Sequence, residues 1–297
     1  APTWVWAQGL AYRGERKTED MLGNLSLDWK YRWGINNLSA TILAEYQKKK
    51  IAAFWTQVKG LTNNYFGYDN LGAASDRPYG GTGSSYADPS LTSFMGTLTY
   101  TLLDRYTLNL TTRADGSSMV GKDHTWGIFP SISATWDMKK ESFLRNNKSI
   151  SLLNLRTGYG RSGNLGGISS YLTLRQYIPV GLISYNGTPT VTMGTLRNSN
   201  PDLRWETRST FNIGTDLGLF NNRLLLTAEY YYSKTTDMLY EYDVPVPTFA
   251  FDKLLANIGS MSNSGFELGI GVVPISKKDM ELNVNVNMAW QKNKLLS

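Results

Sequence analysis

Residues 25–33 read Leu-Ser-Leu-Asp-Trp-Lys-Tyr-Arg-Trp, with every odd position apolar or aromatic and every even one polar. A helix cannot separate such a pattern onto two faces, but a strand does, because its successive side chains point to opposite sides. About eleven segments of the chain share the period: roughly 3–13, 21–33, 37–50, 92–103, 105–115, 126–137, 151–161, 205–218, 222–235, 257–273 and 280–293. Residues 106–114 set Tyr106, Leu108, Leu110 and Ala114 against Thr107, Asn109, Thr111 and Arg113. Residues 282–290 set Leu282, Val284, Val286, Met288 and Trp290 against Asn283, Asn285 and Asn287. Segments of about ten alternating residues, each able to be apolar outside and polar inside, are the signature of a transmembrane β-barrel. Leu25, Leu27, Leu108, Ile132, Phe211, Leu226, Val284 and Val286 are then expected in one apolar belt. Glycines in 257–273 point to bulges or close backbone approach there.

The connections support this reading. Those near 34–36, 103–104, 219–221 and 274–279 are short, whereas 51–91, 162–204 and 236–256 are long, and long and short alternate. Outer-membrane barrels have short periplasmic turns and long outer loops. One connection at the short end, 138–150, is longer, and Glu141–Arg145 suits a helical turn. Trp126 and Trp136 share parity and lie ten residues apart, which in a tilted strand is roughly 25 Å along the membrane normal. That is the spacing of two interfacial aromatic girdles. Trp205, by parity, is expected to join the girdle at the loop end.

Composition closes off several alternatives. No apolar run reaches the length of a transmembrane helix. Cysteine is absent, which removes disulfides and thiolate ligands. His124 is the single histidine, so a histidine-based metal or general-base site lacks partners. The net charge of +6 is dispersed and only Lys48, Lys49 and Lys50 cluster, so no nucleic-acid surface is expected. Carboxylates such as Asp202 and Glu206 suit partners for Arg204 and Arg208 better than a hydrolytic pair, and no catalytic set is expected.

The long loops carry Trp55, Tyr65, Phe66, Tyr68, Tyr79, Tyr171, Tyr177 and Tyr185. Such rings join an apolar face to a polar handle, which suits sugar rings and peptide side chains. They suit the internal packing of a long loop equally.

Ordered motifs run through the last two-thirds of the chain: Arg113-Ala-Asp-Gly-Ser-Ser118, Trp126-Gly-Ile-Phe-Pro-Ser-Ile-Ser-Ala-Thr-Trp136, Leu155-Arg-Thr-Gly-Tyr-Gly-Arg-Ser-Gly-Asn164, Asn200-Pro-Asp-Leu-Arg-Trp-Glu206 and Asn257-Ile-Gly-Ser-Met-Ser-Asn-Ser-Gly-Phe-Glu267. In this order they resemble the barrel of SusC/RagA-type TonB-dependent transporters of Bacteroidota. The resemblance implies an all-β antiparallel meander of about ten to twelve strands, about half of a plugged barrel of about 22, with residues 1–297 a partial barrel domain. It further implies an outer-membrane active importer of glycans, oligosaccharides or peptides, energised through TonB and working with a SusD-like lid lipoprotein, without a cofactor. Under it, the inward residues Lys30, Arg32, Arg113, Asp115, Arg156, Glu206, Arg208, Arg223 and Glu229 face a plug. The aromatic loops, 51–91 and 162–204, face cargo or lid at the cell surface. A passive porin-like or structural barrel is the alternative, and an outer-membrane enzyme is a third reading.

Overall fold

The computed structural model describes residues 9–61, 65, 68–78 and 80–296. Its strands are β1 (Leu10–Trp33), β2 (Asn36–Lys59), β3 (Thr82–Ala87), β4 (Ser90–Leu102), β5 (Tyr106–Ser117), β6 (Trp126–Asp137), β7 (Ile150–Asn164), β8 (Tyr177–Tyr185), β9 (Thr188–Thr195), β10 (Glu206–Leu219), β11 (Leu224–Asp243), β12 (Lys253–Lys277) and β13 (Met280–Leu295). Eleven of them form one antiparallel sheet in the order β1-β2-β4-β5-β6-β7-β10-β11-β12-β13, with β3 added to the far end of β2. Among the described residues β1 pairs only with β2, and β13 only with β12. β8 and β9 make a separate hairpin around Asn186 and Gly187, whose φ values of 50° and 77° suit a two-residue turn that matches strand twist.

The register carries the sequence alternation across the whole sheet. Leu98 pairs with Leu110, Leu110 with Ile132, Ile132 with Tyr159, Tyr159 with Phe211 and Phe211 with Tyr232. A second row runs Leu226, Ile270, Val286. Leu27 faces Ile42. Leu25 and Leu27 are 75% and 67% exposed, and Ile42 and Ile128 both 63%. A continuous apolar face this open is not stable against water and requires an apolar solvent. Aromatic rings gather toward its two margins. Trp33 and Tyr31 stack at 5.3 Å, and Tyr106 and Trp136 at 6.1 Å, near the short turns. Phe94 and Trp126 stack at 6.0 Å toward the loop end.

The turns that join β1 to β2, β4 to β5, β10 to β11 and β12 to β13 all lie at one end. In the turn from β4 to β5, Leu103 and Asp104 both hold positive φ, 55° and 54°. The connection from β6 to β7 contains the helical turn α1 (Ser142–Arg145). Glu141 anchors it, accepting hydrogen bonds from Arg105 Nη1 at 2.7 Å, Trp136 Nε1 at 3.0 Å and the Tyr106 hydroxyl. The Tyr106 hydroxyl, followed by the Trp136 indole, holds this carboxyl below its usual range.

Four expectations are corrected. The segments expected at 3–13 and 21–33 are one strand from residue 10 onward, because 14–20 continue in register with β2. Glu19 faces Lys50 and Asp20 faces Lys49 there, and opposite charges directly across a pair favour it. Residues 3–8 lie outside the described residues. Strands β3, β8 and β9 stand within the stretches read as loops, and the 236–256 loop shrinks to 244–252 because β11 and β12 continue. Trp55 lies on β2, not in a loop. Trp205 is not a girdle residue: it is 9% exposed and packs with Val120, Phe129, Ile168 and Leu203 in a small loop-end core.

Candidate functional site

The polar face divides into two parts. Across β1 to β6 its part toward the short turns is built mainly of small hydroxyl and amide side chains that bond across strands, with Arg113, Asp115 and Glu45 nearer the loop end. Thr41 donates to Asp28 at 2.6 Å, Thr97 and Thr111 meet at 3.2 Å, Thr99 donates to Asn109 at 2.7 Å, and Thr101 and Thr107 meet at 3.2 Å. Across β7 to β12 it carries longer, charged groups. Arg156 donates to both Asp216 oxygens at 2.8 and 3.2 Å and to Glu229 at 3.1 Å. Asn212 donates to the other Glu229 oxygen at 3.2 Å. These partners are brought together by strand register alone, since Arg156 is opposite Gly214 and Gly214 opposite Glu229.

The other inward residues are placed as follows. Arg113 is fixed by both Asp115 oxygens at 2.7 and 2.9 Å and by Ser93 at 3.0 Å, with Glu45 at 3.6 Å. Arg208 donates to Ser233 at 3.1 Å. Glu206 accepts from Asn164 at 2.7 Å and from the Leu239 amide at 2.8 Å, where β11 is bulged. Arg32 stands at the opposite end, 3.8 Å from Asp104. Charged groups satisfied in this way stay fixed and hydrated, which suits the wall of a wet lumen.

The motif 200–206 builds the loop end. Asn257 clamps it, accepting from the Arg204 amide at 2.9 Å and donating to the Arg204 carbonyl at 2.8 Å. Asn200 donates to the Leu255 carbonyl at 2.9 Å, and Asn198 to the carbonyls of Phe251 and Lys253 at 2.7 and 2.8 Å. Arg204 pairs with Asp237 at 2.6 Å. These clamps drive Leu203 to full burial and turn Trp205 edge-on to Phe129, with ring centroids 5.5 Å apart. Phe129 in turn lies where only glycine leaves room: a Cβ at Gly163 would come within 2.1 Å of its ring.

Next to this core is a cavity of about 710 Å³. Its lining includes Lys49, Arg113, Asp115 and Arg161 together with Leu91, Met95, Met119, Phe129, Leu165 and Trp205. β6 and β7 part beside it, since their last pair is Ser131 with Gly160 although β7 continues to Asn164. Sequence reasoning singled out neither Lys49 nor Arg161 as a site. Parity does put Lys49 on the polar face with Glu45 and Gln47, and that was the available signal.

The loop aromatics are dispersed. Tyr65 and Tyr68 are strongly exposed, and Phe66 and Tyr79 lie outside the described residues. Trp55 lies flat over Gly83, where a Cβ would meet its ring at 2.2 Å. Tyr177 and Tyr185 stand at the two ends of β8, both exposed. Tyr171, at φ 67°, donates its hydroxyl to Asp88 at 3.0 Å, and Lys48 lies 3.4 Å from the same carboxylate. The Tyr171 hydrogen bond leads in holding the Asp88 carboxyl below its usual 3.8. His124 sits half-buried in a single turn of 3₁₀ helix. Among the described residues no group of three His, Cys, Asp or Glu is arranged to hold a metal.

Residues 4–296 match the family described as TonB dependent receptor-like, beta-barrel. The TonB-dependent receptor SusC of Bacteroides thetaiotaomicron is 36% identical over 215 residues, 69% of this chain and 21% of SusC. The TonB-dependent receptor P3 of Formosa agariphila is 32% identical over 308 residues, 99% of this chain and 29% of its own length. Among solved structures, the RagAB peptide transporter superposes with a TM-score of 0.82 at 24% identity, over 96% of this chain and 31% of that one. At that identity the likeness speaks for the fold. The outer membrane transporter YddB of Escherichia coli superposes with a TM-score of 0.60 at 12% identity, over 94% of this chain and 34% of that one. The chain thus spans about a fifth to a third of the proteins it matches. An apolar belt, a polar ion-paired inner face and segregated loops are what this family's barrels require, and the chain belongs to the TonB-dependent receptor β-barrel family of the outer membrane, in its SusC-like branch.

Proposed function

We propose that this chain is part of the wall of an active importer of oligosaccharides or peptides, energised through TonB and closed at the cell surface by a SusD-like lipoprotein. The carrying observation is the inner face. Arg113 and Arg156 are each held by two carboxylates, and a wall of satisfied, hydrated charge lets a plug move without exposing a dry core. In this reading β1 and β13 pair with further strands of a larger barrel, which removes both open edges. The residues Arg32, Arg113, Asp115, Arg156, Glu206 and Arg208 line the path beside the plug. The loop end forms the rim for cargo and lid, with Tyr65, Tyr68, Tyr177 and Tyr185 presented there.

The test is uptake by cells carrying the intact transporter, with and without TonB. Energised import predicts accumulation that stops when TonB is removed, whereas a porin-like barrel continues to equilibrate its solute. Removing Tyr65–Tyr79 from the intact protein is expected to lower uptake or lid co-purification while barrel assembly persists. Normal assembly with unchanged uptake and unchanged lid binding would leave that loop a passive tether.

A further inference from the structure

Outward residues of five neighbouring strands form one row at the loop-end margin of the belt. Ser209 of β10 faces Arg161 of β7 on one side and Lys234 of β11 on the other. Lys234 in turn faces Ser262 of β12, and Ser262 faces Lys294 of β13. Along the sheet the row reads cation, hydroxyl, cation, hydroxyl, cation. The next row toward the membrane has the same parity and reads Tyr159, Phe211, Tyr232, Ser264, Lys292. Neither row contains a carboxylate. Arg161, Lys234, Lys292 and Lys294 are all exposed, and none of them forms an ion pair among the described residues. The same margin is built differently across β1 and β2, where the outward lysines have acids beside them. Lys17 lies 2.6 Å from Glu19, Lys50 faces Glu19, and Lys48 lies 3.4 Å from Asp88.

We propose that the row from Arg161 to Lys294 binds the phosphate-bearing headgroup of a lipid in the surrounding outer leaflet. Its height suits that role. Aromatic rings mark the boundary between hydrocarbon and headgroups, and the row stands two residues beyond Tyr159, Phe211 and Tyr232, about 5 Å further out in a tilted strand. Its spacing suits it too. Adjacent strands lie about 4.8 Å apart, so Arg161, Lys234 and Lys294, on alternate strands, are roughly 10 Å from one to the next. Two long side chains can converge across such a gap on one phosphate, with the serine between them donating from below. Ser262 reaches the Lys294 carbonyl only at 3.5 Å, so its hydroxyl can turn to a better acceptor. Guanidinium and ammonium groups give phosphate oxygens charge-assisted hydrogen bonds, and cations gathered at a membrane surface favour anionic lipid. A lipid fits better than a soluble anion because the row is continuous with the apolar face: a headgroup held here lays its acyl chains along Phe211 and Ile213, both 42% exposed. The site is independent of what the barrel carries.

The experiment titrates the intact transporter, purified in a nonionic detergent, with lipid A and counts bound lipid by native mass spectrometry. Dephosphorylated lipid A and inorganic phosphate are the comparison probes. The parent is expected to bind lipid A at least about tenfold more tightly than the dephosphorylated form, since each cation at an anionic membrane surface is worth about fivefold. Millimolar inorganic phosphate should not displace it. Lys234→Gln should lower the preference about fivefold, and Arg161→Gln/Lys234→Gln/Lys294→Gln should abolish it. Lys234→Arg/Lys294→Arg should keep it, and so should Lys17→Gln/Lys50→Gln, which removes two paired cations from the same margin. Lys234→Gln and the arginine variant decide the matter if the triple variant fails to assemble. A parent without preference for the phosphorylated lipid overturns the proposal, as does a preference that survives the triple variant or Lys234→Gln. An equal loss in Lys17→Gln/Lys50→Gln would show net charge alone at work and overturns it too. Displacement by inorganic phosphate would make the row a site for soluble anions and not for lipid.

Discussion

The membrane-facing part of the sheet and its loop end are built from the same strands but held by different forces. In the belt, residues such as Leu25, Leu27 and Ile42 are exposed on one face and the polar ladder is half-exposed on the other. No buried core lies there among the described residues; backbone pairing and an apolar solvent hold it. At the loop end, Leu203, Val120, Phe129, Ile168 and Trp205 form a buried core like that of a water-soluble domain. The belt is therefore vulnerable to charge, and the loop end to lost volume.

The largest expected effect tests the second half of that contrast. Leu203→Ala removes a side chain with no exposure and should cost about 2–5 kcal/mol of local stability. Rapid protease cleavage within 165–205 of an otherwise assembled barrel would show it, and unchanged protection would deny the core its role. Leu108→Arg in the belt should cost about 2–4 kcal/mol in the intact barrel, read from urea unfolding in lipid vesicles; a variant that inserts and unfolds like the parent does not face lipid there.

A smaller effect concerns the Tyr171–Asp88–Lys48 tie across the loop end. Asp88 titrates below its usual 3.8 when folded. Its contribution is thus fully present above that value and is lost as pH falls through the lower, folded pKa. Protection against hydrogen exchange in 165–176, taken relative to the intrinsic amide rate at each pH, should be high at neutral pH and drop only below about 3.8, while Asp88→Asn should be poorly protected at both. Equal rates for parent and variant at neutral pH would remove the tie. The smallest effect is Thr18→Lys, high on β1 where both faces are wet, expected within about 0.5 kcal/mol of the parent. A cost like that of Leu108→Arg would extend the belt to that height.

The membrane part was legible in the sequence because its cause is local. Each strand meets lipid on one side and water on the other, and so Leu25–Trp33, Tyr106–Ala114 and Leu282–Trp290 display the period directly. Where that contrast ends, the signal ends. Residues 13–20 of β1 carry charges at both parities, so the period stops although the strand, set by pairing with β2, continues. The hairpin of β8 and β9 was hidden for a related reason: Val180, Leu182, Ile183, Val191 and Met193 are all exposed, and its apolar residues follow no single face.

By itself the sequence determined the meander, the polarity of its two faces and the segregation of its turns, because period and loop length are read within a few neighbouring residues. Only the tertiary structure decided which charges meet. Arg156 lies 60 residues from Asp216 and 73 from Glu229, and only the register of three strands joins them. It likewise decided the place of Trp205. Parity sends that ring outward, but Asn200 and Asn257 clamp the chain just before β10, and Phe129 offers an apolar surface that the short-range pattern does not contain.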